Sequence, residues 1–135
     1  VNLRKVMTID PALPTPVYAQ IEEQMARVIA SGAFEPGEQI PSVRELAVTL
    51  RVNPLTVSKA YSRLADRGLV VAVRGKGVFV AEERPRLPLR ERERLVDAKI
   101  KELVQVAGQL DVPAERILKL VERALPREKS RGRHA

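Results

Sequence analysis

Two helix starts, set one short helix apart, constrain this chain more than any other feature. Ser42-Val43-Arg44-Glu45 reads as a capping box, the serine side chain serving the backbone of Glu45 and the glutamate reaching back to Ser42. Asn53-Pro54 is the second start. An asparagine side chain caps free N–H groups, and proline suits the first helical position because it has no N–H to lose. Only the turn Arg51 to Asn53 separates the two helices, and Gly68 stops the second. At 100° per residue Val57, Ala60, Tyr61 and Leu64 share one stripe, the side packed on a core. Thr56, Lys59, Arg63 and Arg67 form a second stripe roughly 100–120° away, with no acid among its members.

What flanks this pair narrows the fold. Residues 1 to 14 are a lead-in, with Met7-Thr8-Ile9 expected as a short strand and Asp10-Pro11 as a turn. Thr15-Pro16 repeats the cap-then-proline signal and opens a helix to about Ser31, its Tyr18, Ile21, Met25, Val28 and Ile29 at helical spacing. Glu35-Pro36-Gly37 is a turn and Ile40-Pro41 is extended; Val43, Leu46, Ala47 and Leu50 then face inward from the capping-box helix. After Gly68 the period changes. "LVVAVRGKGVFVA" holds two β-rich apolar runs around Arg74-Gly75-Lys76-Gly77, a hairpin with a glycine-rich tip.

Helix, helix, short turn, helix and basic-tipped hairpin make a winged helix-turn-helix over residues 1–81. A charged, proline-bearing linker at 82–88 leads to two more helices within 89–126, and 127–135 is a basic flexible tail. Val96, Ile100, Leu103, Val104 and Ala107 line one face of the first late helix; Ile117, Leu118 and Val121 line the second. Two such helices cannot close a core alone, so the expected cover is the same pair from a second copy. The fold class is mostly α with a small β-wing, followed by a two-helix dimerisation unit.

Composition removes several functions. At 135 residues there is room for one small domain and an appendage. No apolar run has membrane-spanning length and no signal-peptide pattern follows Arg4 and Lys5, so no membrane partner is expected. Absent cysteine excludes disulfides and thiolate zinc sites and fits a cytoplasmic location; His134 is alone in the tail, so neither cofactor nor metal is expected. Val1 is not methionine, and Met7 is a plausible start. Glu22-Glu23 and Asp97 are acids without a nearby base or nucleophile, which argues against an enzyme.

The net charge of +7 is unevenly placed. Pro41 to Gly77 carries Arg44, Arg51, Lys59, Arg63, Arg67, Arg74 and Lys76 against Glu45 and Asp66; Asp10 to Ile40 carries five acids against Arg27 alone. A polyanion is drawn to the first region and repelled by the second. In a helix-turn-helix the second helix enters the major groove and its first residues reach base edges. Candidate DNA-binding residues are therefore Ser42 and Arg44 at one helix start, Asn53, Thr56, Ser58, Lys59 and Arg63 on the next, and Arg74, Gly75 and Lys76 at the hairpin tip. Rival readings are a general DNA-coating protein without a dedicated operator, held by phosphate contacts alone, and a winged-helix protein-interaction module.

"PVYAQI", "EPGEQIPSVRELA", "VNPLTVSKAY" and "GLVVAVRGKGVFV", spread from about Thr15 to Val80, together resemble the GntR family of bacterial transcription regulators and, within it, the short YtrA-like branch. The resemblance implies a homodimeric repressor of a pseudo-palindromic operator, often near transporter genes, with DNA contacts at Arg44, Thr56, Arg74 and Gly75. Larger relatives carry effector domains for which this chain has no room; whether a small-molecule effector binds the helical pair is left open. Asn53-Pro54 stands where most of the family has Ser-Arg, as in the YtrA-like branch. That branch tends to have asparagine next, where this chain has Leu55, an apolar group suited to a thymine methyl.

Overall fold

The computed structural model describes residues 1–83 and 87–126; the basic tail and part of the expected linker lie outside these. Two compact units divide the chain, one ending at Pro88 and one starting at Leu89. The first holds α1 (Leu3–Val6), α2 (Val17–Ala30), β1 (Gln39–Ile40), α3 (Val43–Leu50), α4 (Pro54–Asp66), β2 (Val70–Val73) and β3 (Gly77–Val80). The second holds α5 (Leu89–Gln109) and α6 (Ala114–Ala124).

Helices α2, α3 and α4 wrap a core in which Ile21, Met25, Leu46, Val57 and Leu64 are fully buried. The α4 stripe foreseen from its period, Val57, Ala60, Tyr61 and Leu64, is buried throughout. The capping box at α3 is complete: Glu45 N–H donates to Ser42 Oγ at 3.0 Å and Ser42 N–H to Glu45 Oε1 at 2.8 Å. Arg51 adopts the left-handed conformation (φ 59°), so Val52 N–H reaches back to Ala47 O and the chain turns sharply into α4. Gly68, at φ 75°, ends α4 in the same manner, with Leu69 N–H on Leu64 O.

The sheet is antiparallel with order β1-β3-β2. β2 and β3 are the expected hairpin; β1, two residues long, is the extended Ile40 region and pairs Gln39 with Phe79 and Ile40 with Val78.

The lead-in differs from expectation. Met7-Thr8-Ile9 forms no ladder strand. Asn2 instead caps α1, which puts Leu3 into the core beside Met7. The extended backbone that follows is paired by glutamine side chains from α2: Gln24 accepts from Thr8 N–H and donates to Thr8 O, and Gln20 does both for Asp10. Each side-chain amide does what a neighbouring strand's peptide would do. The Thr15 cap is also absent. Pro16 itself takes the capping position without a side-chain bond, and Ala19 and Gln20 N–H close on its carbonyl.

In the second unit α5 and α6 are joined through Asp111 (φ 58°), with Val112 N–H on Ala107 O at 2.8 Å. Among the described residues of this unit only Ala107 is buried, while Val96, Ile100, Leu103, Val104, Leu118 and Val121 stand exposed. A groove of about 350 Å³ runs between the helices, walled by Leu103, Val106 and Leu110 on one side and Ile117, Leu120 and Val121 on the other.

Candidate nucleic-acid interface

The start of α4 is held from within. Pro54 has no N–H. Leu55 N–H donates to Asn53 Oδ1 at 2.8 Å, and Thr56 and Val57 N–H both turn to Asn53 O. No donor of that first turn is left over for a phosphate, so this end must act through side chains. Outward from it stand Asn53, Leu55, Ser58 and Lys59, with Thr56 half-buried. With Oδ1 engaged, Asn53 keeps its amide nitrogen as a donor, and Ser42 likewise keeps its hydroxyl proton after accepting from Glu45.

The basic stripe of α4 is not free of acids, because α2 supplies one. Glu22, its side chain 10% exposed, receives Arg63 Nε at 2.7 Å and Arg67 Nη1 at 3.0 Å. The Arg63 hydrogen bond holds the Glu22 carboxyl below its ordinary 4.5 against the opposing effect of burial, and Arg67 adds to the lowering. Arg63 thus turns its guanidinium to the protein, although 53% of its side chain stays exposed. Tyr18, one of the residues at helical spacing on α2, is half-buried against the core with its ring under Lys59 Nζ at 4.1 Å and Arg63 Cζ at 5.6 Å. Glu22 and Tyr18 touch the candidate residues Lys59 and Arg63 in contacts that sequence reading missed. Their positions one turn apart on α2 were visible, but the contacts join residues far apart in sequence.

Tyr61 is a core tyrosine, as expected. Its Oη donates to Pro41 O at 2.7 Å, tying the middle of α4 to the residue before the α3 cap. Burial, with the Glu45 charge adding, pushes its phenol well above the ordinary 10.0, so the donor keeps its proton. The β1–β3 register runs the chain toward the hairpin tip before it leaves for α3: Ile40 pairs with Val78, two residues short of Ser42. Gln39 Nε2 donates to Lys76 O at 2.9 Å and locks the tip to β1.

At that tip Lys76 N–H closes on Val73 O, and Gly75 (φ 78°) has open space where a side chain would stand. Gly77 (φ 128°) has a different reason to lack one. A Cβ there would collide with the Gln39 amide, so its absence serves the tip's own anchor. Arg74, Gly75 and Lys76 are exposed, as is Arg44. Among the described residues, Arg44, Lys59, Arg74 and Lys76 have no ion-pair partner. The structure groups Asn53, Thr56, Ser58 and Lys59 at the start of α4, and sets Ser42 and Arg44 at the start of α3, a few residues beyond the Gln39 that is tied to the tip.

Three helices around a short-turned pair, followed by a hairpin, define a winged helix-turn-helix. The family model described as "Bacterial regulatory proteins, gntR family" matches residues 17–80. The HTH-type transcriptional repressor YtrA of Bacillus subtilis (strain 168) is 35% identical over 83% of this chain and 86% of its own. Among solved structures, YtrA from Sulfolobus acidocaldarius, a GntR-family transcription factor, is 38% identical with TM-score 0.54, over 72% of this chain and 98% of that one. The AraR DNA-binding domain in complex with operator ORX1 is 32% identical with TM-score 0.52, over 56% of this chain and 96% of that one. The chain belongs to the gntR family and is a YtrA-like transcriptional regulator, not an enzyme. Among the described residues no helix is long and apolar enough to cross a membrane.

Proposed function

We infer that the protein represses transcription in the cytoplasm by binding a pseudo-palindromic operator in double-stranded DNA as a homodimer. The observation that carries the reading is the closed, side-chain-capped start of α4, which fixes Thr56, Ser58 and Lys59 at a helix end whose backbone donors are spent. In this reading α4 lies in the major groove and Lys59 reaches base edges, with Asn53 and Ser58 alongside. Ser42 and Arg44 engage the adjoining backbone or bases, while Arg74, Gly75 and Lys76 meet a minor groove or flanking phosphates. Arg63 contributes by holding α4 to Glu22, with its exposed part near the backbone.

The exposed Val96, Ile100, Leu103, Val104, Leu118 and Val121, with the half-buried Ile117 and the buried Ala107 between them, form the surface a second copy would cover, because one pair of helices buries little of it. The 82–88 segment would then link a DNA-binding domain to a dimerising one. Transporter genes are the first place to look for targets, and the α5–α6 groove is where a small-molecule effector would be sought.

Fluorescence anisotropy on the intergenic DNA upstream of the protein's own gene tests the proposal, at near-physiological salt with unrelated competitor DNA. Binding that survives a competitor excess of about 10³ supports base readout. Binding that collapses with competitor and salt on every genomic fragment tried would instead mark a DNA-coating protein.

A further inference from the structure

Leu55 is the most exposed of the large hydrophobic side chains among the described residues, at 77%. A single exposed leucine is ordinary on a protein surface. Its position here is not. It occupies the first turn of α4 beside Asn53, Thr56 and Lys59, its own N–H fixed to Asn53 Oδ1. That turn has no spare backbone donor, so only side chains remain to recognise anything. Fold stability gives no reason for leucine, since the core stripe of α4 lies on another face.

The major groove presents donors and acceptors on every base pair, but one apolar group, the 5-methyl of thymine. We propose that Leu55 is a specificity-determining residue that packs on a thymine methyl in each operator half-site. The inference rests on the operator-binding reading above and adds to it one base preference. Polar neighbours such as Lys59 read hydrogen-bonding edges; Leu55 excludes water from a methyl that they cannot sense. Cytosine, which lacks the methyl and presents an amino donor, would be disfavoured at the same place.

The test removes that methyl and leaves base pairing unchanged. In synthetic duplexes of the selected operator, each thymine is replaced singly by deoxyuridine, and affinity is measured by competitor-resistant anisotropy for the parent and for Leu55→Ala. One thymine in each half-site should stand out, its replacement weakening the parent about fourfold, the worth of one buried methyl-sized group. Leu55→Ala should bind the all-thymine operator more weakly by a comparable factor and be indifferent to that replacement. Because Leu55 is exposed, the variant keeps the parent fold, which its unfolding curve verifies. A parent that responds alike to deoxyuridine at every thymine overturns the inference, as does a Leu55→Ala protein that remains as sensitive as the parent. Failure to hold any genomic duplex against competitor would instead remove operator binding, and this inference with it.

Discussion

Replacing Glu22 with glutamine keeps the shape of the side chain and deletes the charge that Arg63 and Arg67 share. The carboxylate is nearly enclosed, whereas its arginines are 53% and 45% exposed. A charge-assisted hydrogen bond contributes roughly 1.5–3 kcal/mol, but exposed ion pairs fall to roughly 0.2–1 kcal/mol because water competes. A glutamine oxygen still accepts from one arginine while its NH₂ opposes the other. Loss of the Glu22 charge should therefore cost the first unit about 1–2 kcal/mol, or roughly 5–15 °C in Tm for a domain of this size. The assay is selective by composition. There is no tryptophan, and the two tyrosines, Tyr18 and Tyr61, both lie in the first unit, so tyrosine fluorescence during urea unfolding reports that unit. The pH dependence follows from the lowered Glu22 pKa. The unfolded carboxyl takes up its proton first as pH falls, so the stabilisation is full above about pH 5 and disappears as pH drops through the lower folded value. The parent should lose its advantage over Glu22→Gln on acidification. Equal urea midpoints at pH 7, or a gap that persists undiminished to pH 3, would refute the reasoning.

Arg44→Ala and Lys59→Ala should each weaken operator binding by roughly 1–3 kcal/mol while the variant stays folded, measured by anisotropy; parent-like binding would remove that contact. Changing both Ile100 and Leu103 to aspartate should give a monomer in sedimentation that binds a full operator poorly, and a double variant that still dimerises would end the α5–α6 dimer proposal. Arg51→Gly should stabilise the first unit by about 0.5–1 kcal/mol, seen as a higher urea midpoint, because a left-handed backbone is costly for any residue with a Cβ. Gly77→Ala should destabilise more than Gly75→Ala by the same fluorescence assay, since only at Gly77 does the new carbon strike the Gln39 amide.

How much could be read beforehand depended on how local each interaction is. The capping box at Ser42, the Asn53-Pro54 start and the Gly68 stop are bonds between residues a turn apart, and they were legible letter by letter. So was the hairpin, from its β-rich runs and glycines, and the unfilled α5 stripe, from its period. The missed features were bonds across long stretches of chain. Glu22 looked like a surface acid because nothing in its own helix shows that Arg63 and Arg67 lie opposite. Nothing local to Gln20 and Gln24 shows that each completes the backbone of a segment many residues earlier. Strand β1 is too short to show a period, and α1 is a single capped turn whose buried Leu3 no repeat pattern could reveal.

The shared carboxylate on α2 also bears on what a salt titration would count. Binding to DNA weakens with salt in proportion to the counterions that a protein's free cations displace from the phosphates, with a slope of about 0.9 per phosphate neutralised. Seven cations lie between Pro41 and Gly77, but two of them already face Glu22 in the free protein. Those two bring an anion of their own to the complex and release fewer ions on binding. The slope per half-site should thus fall short of the cation count, and removing Glu22 should steepen it even as the helix it steadied becomes looser.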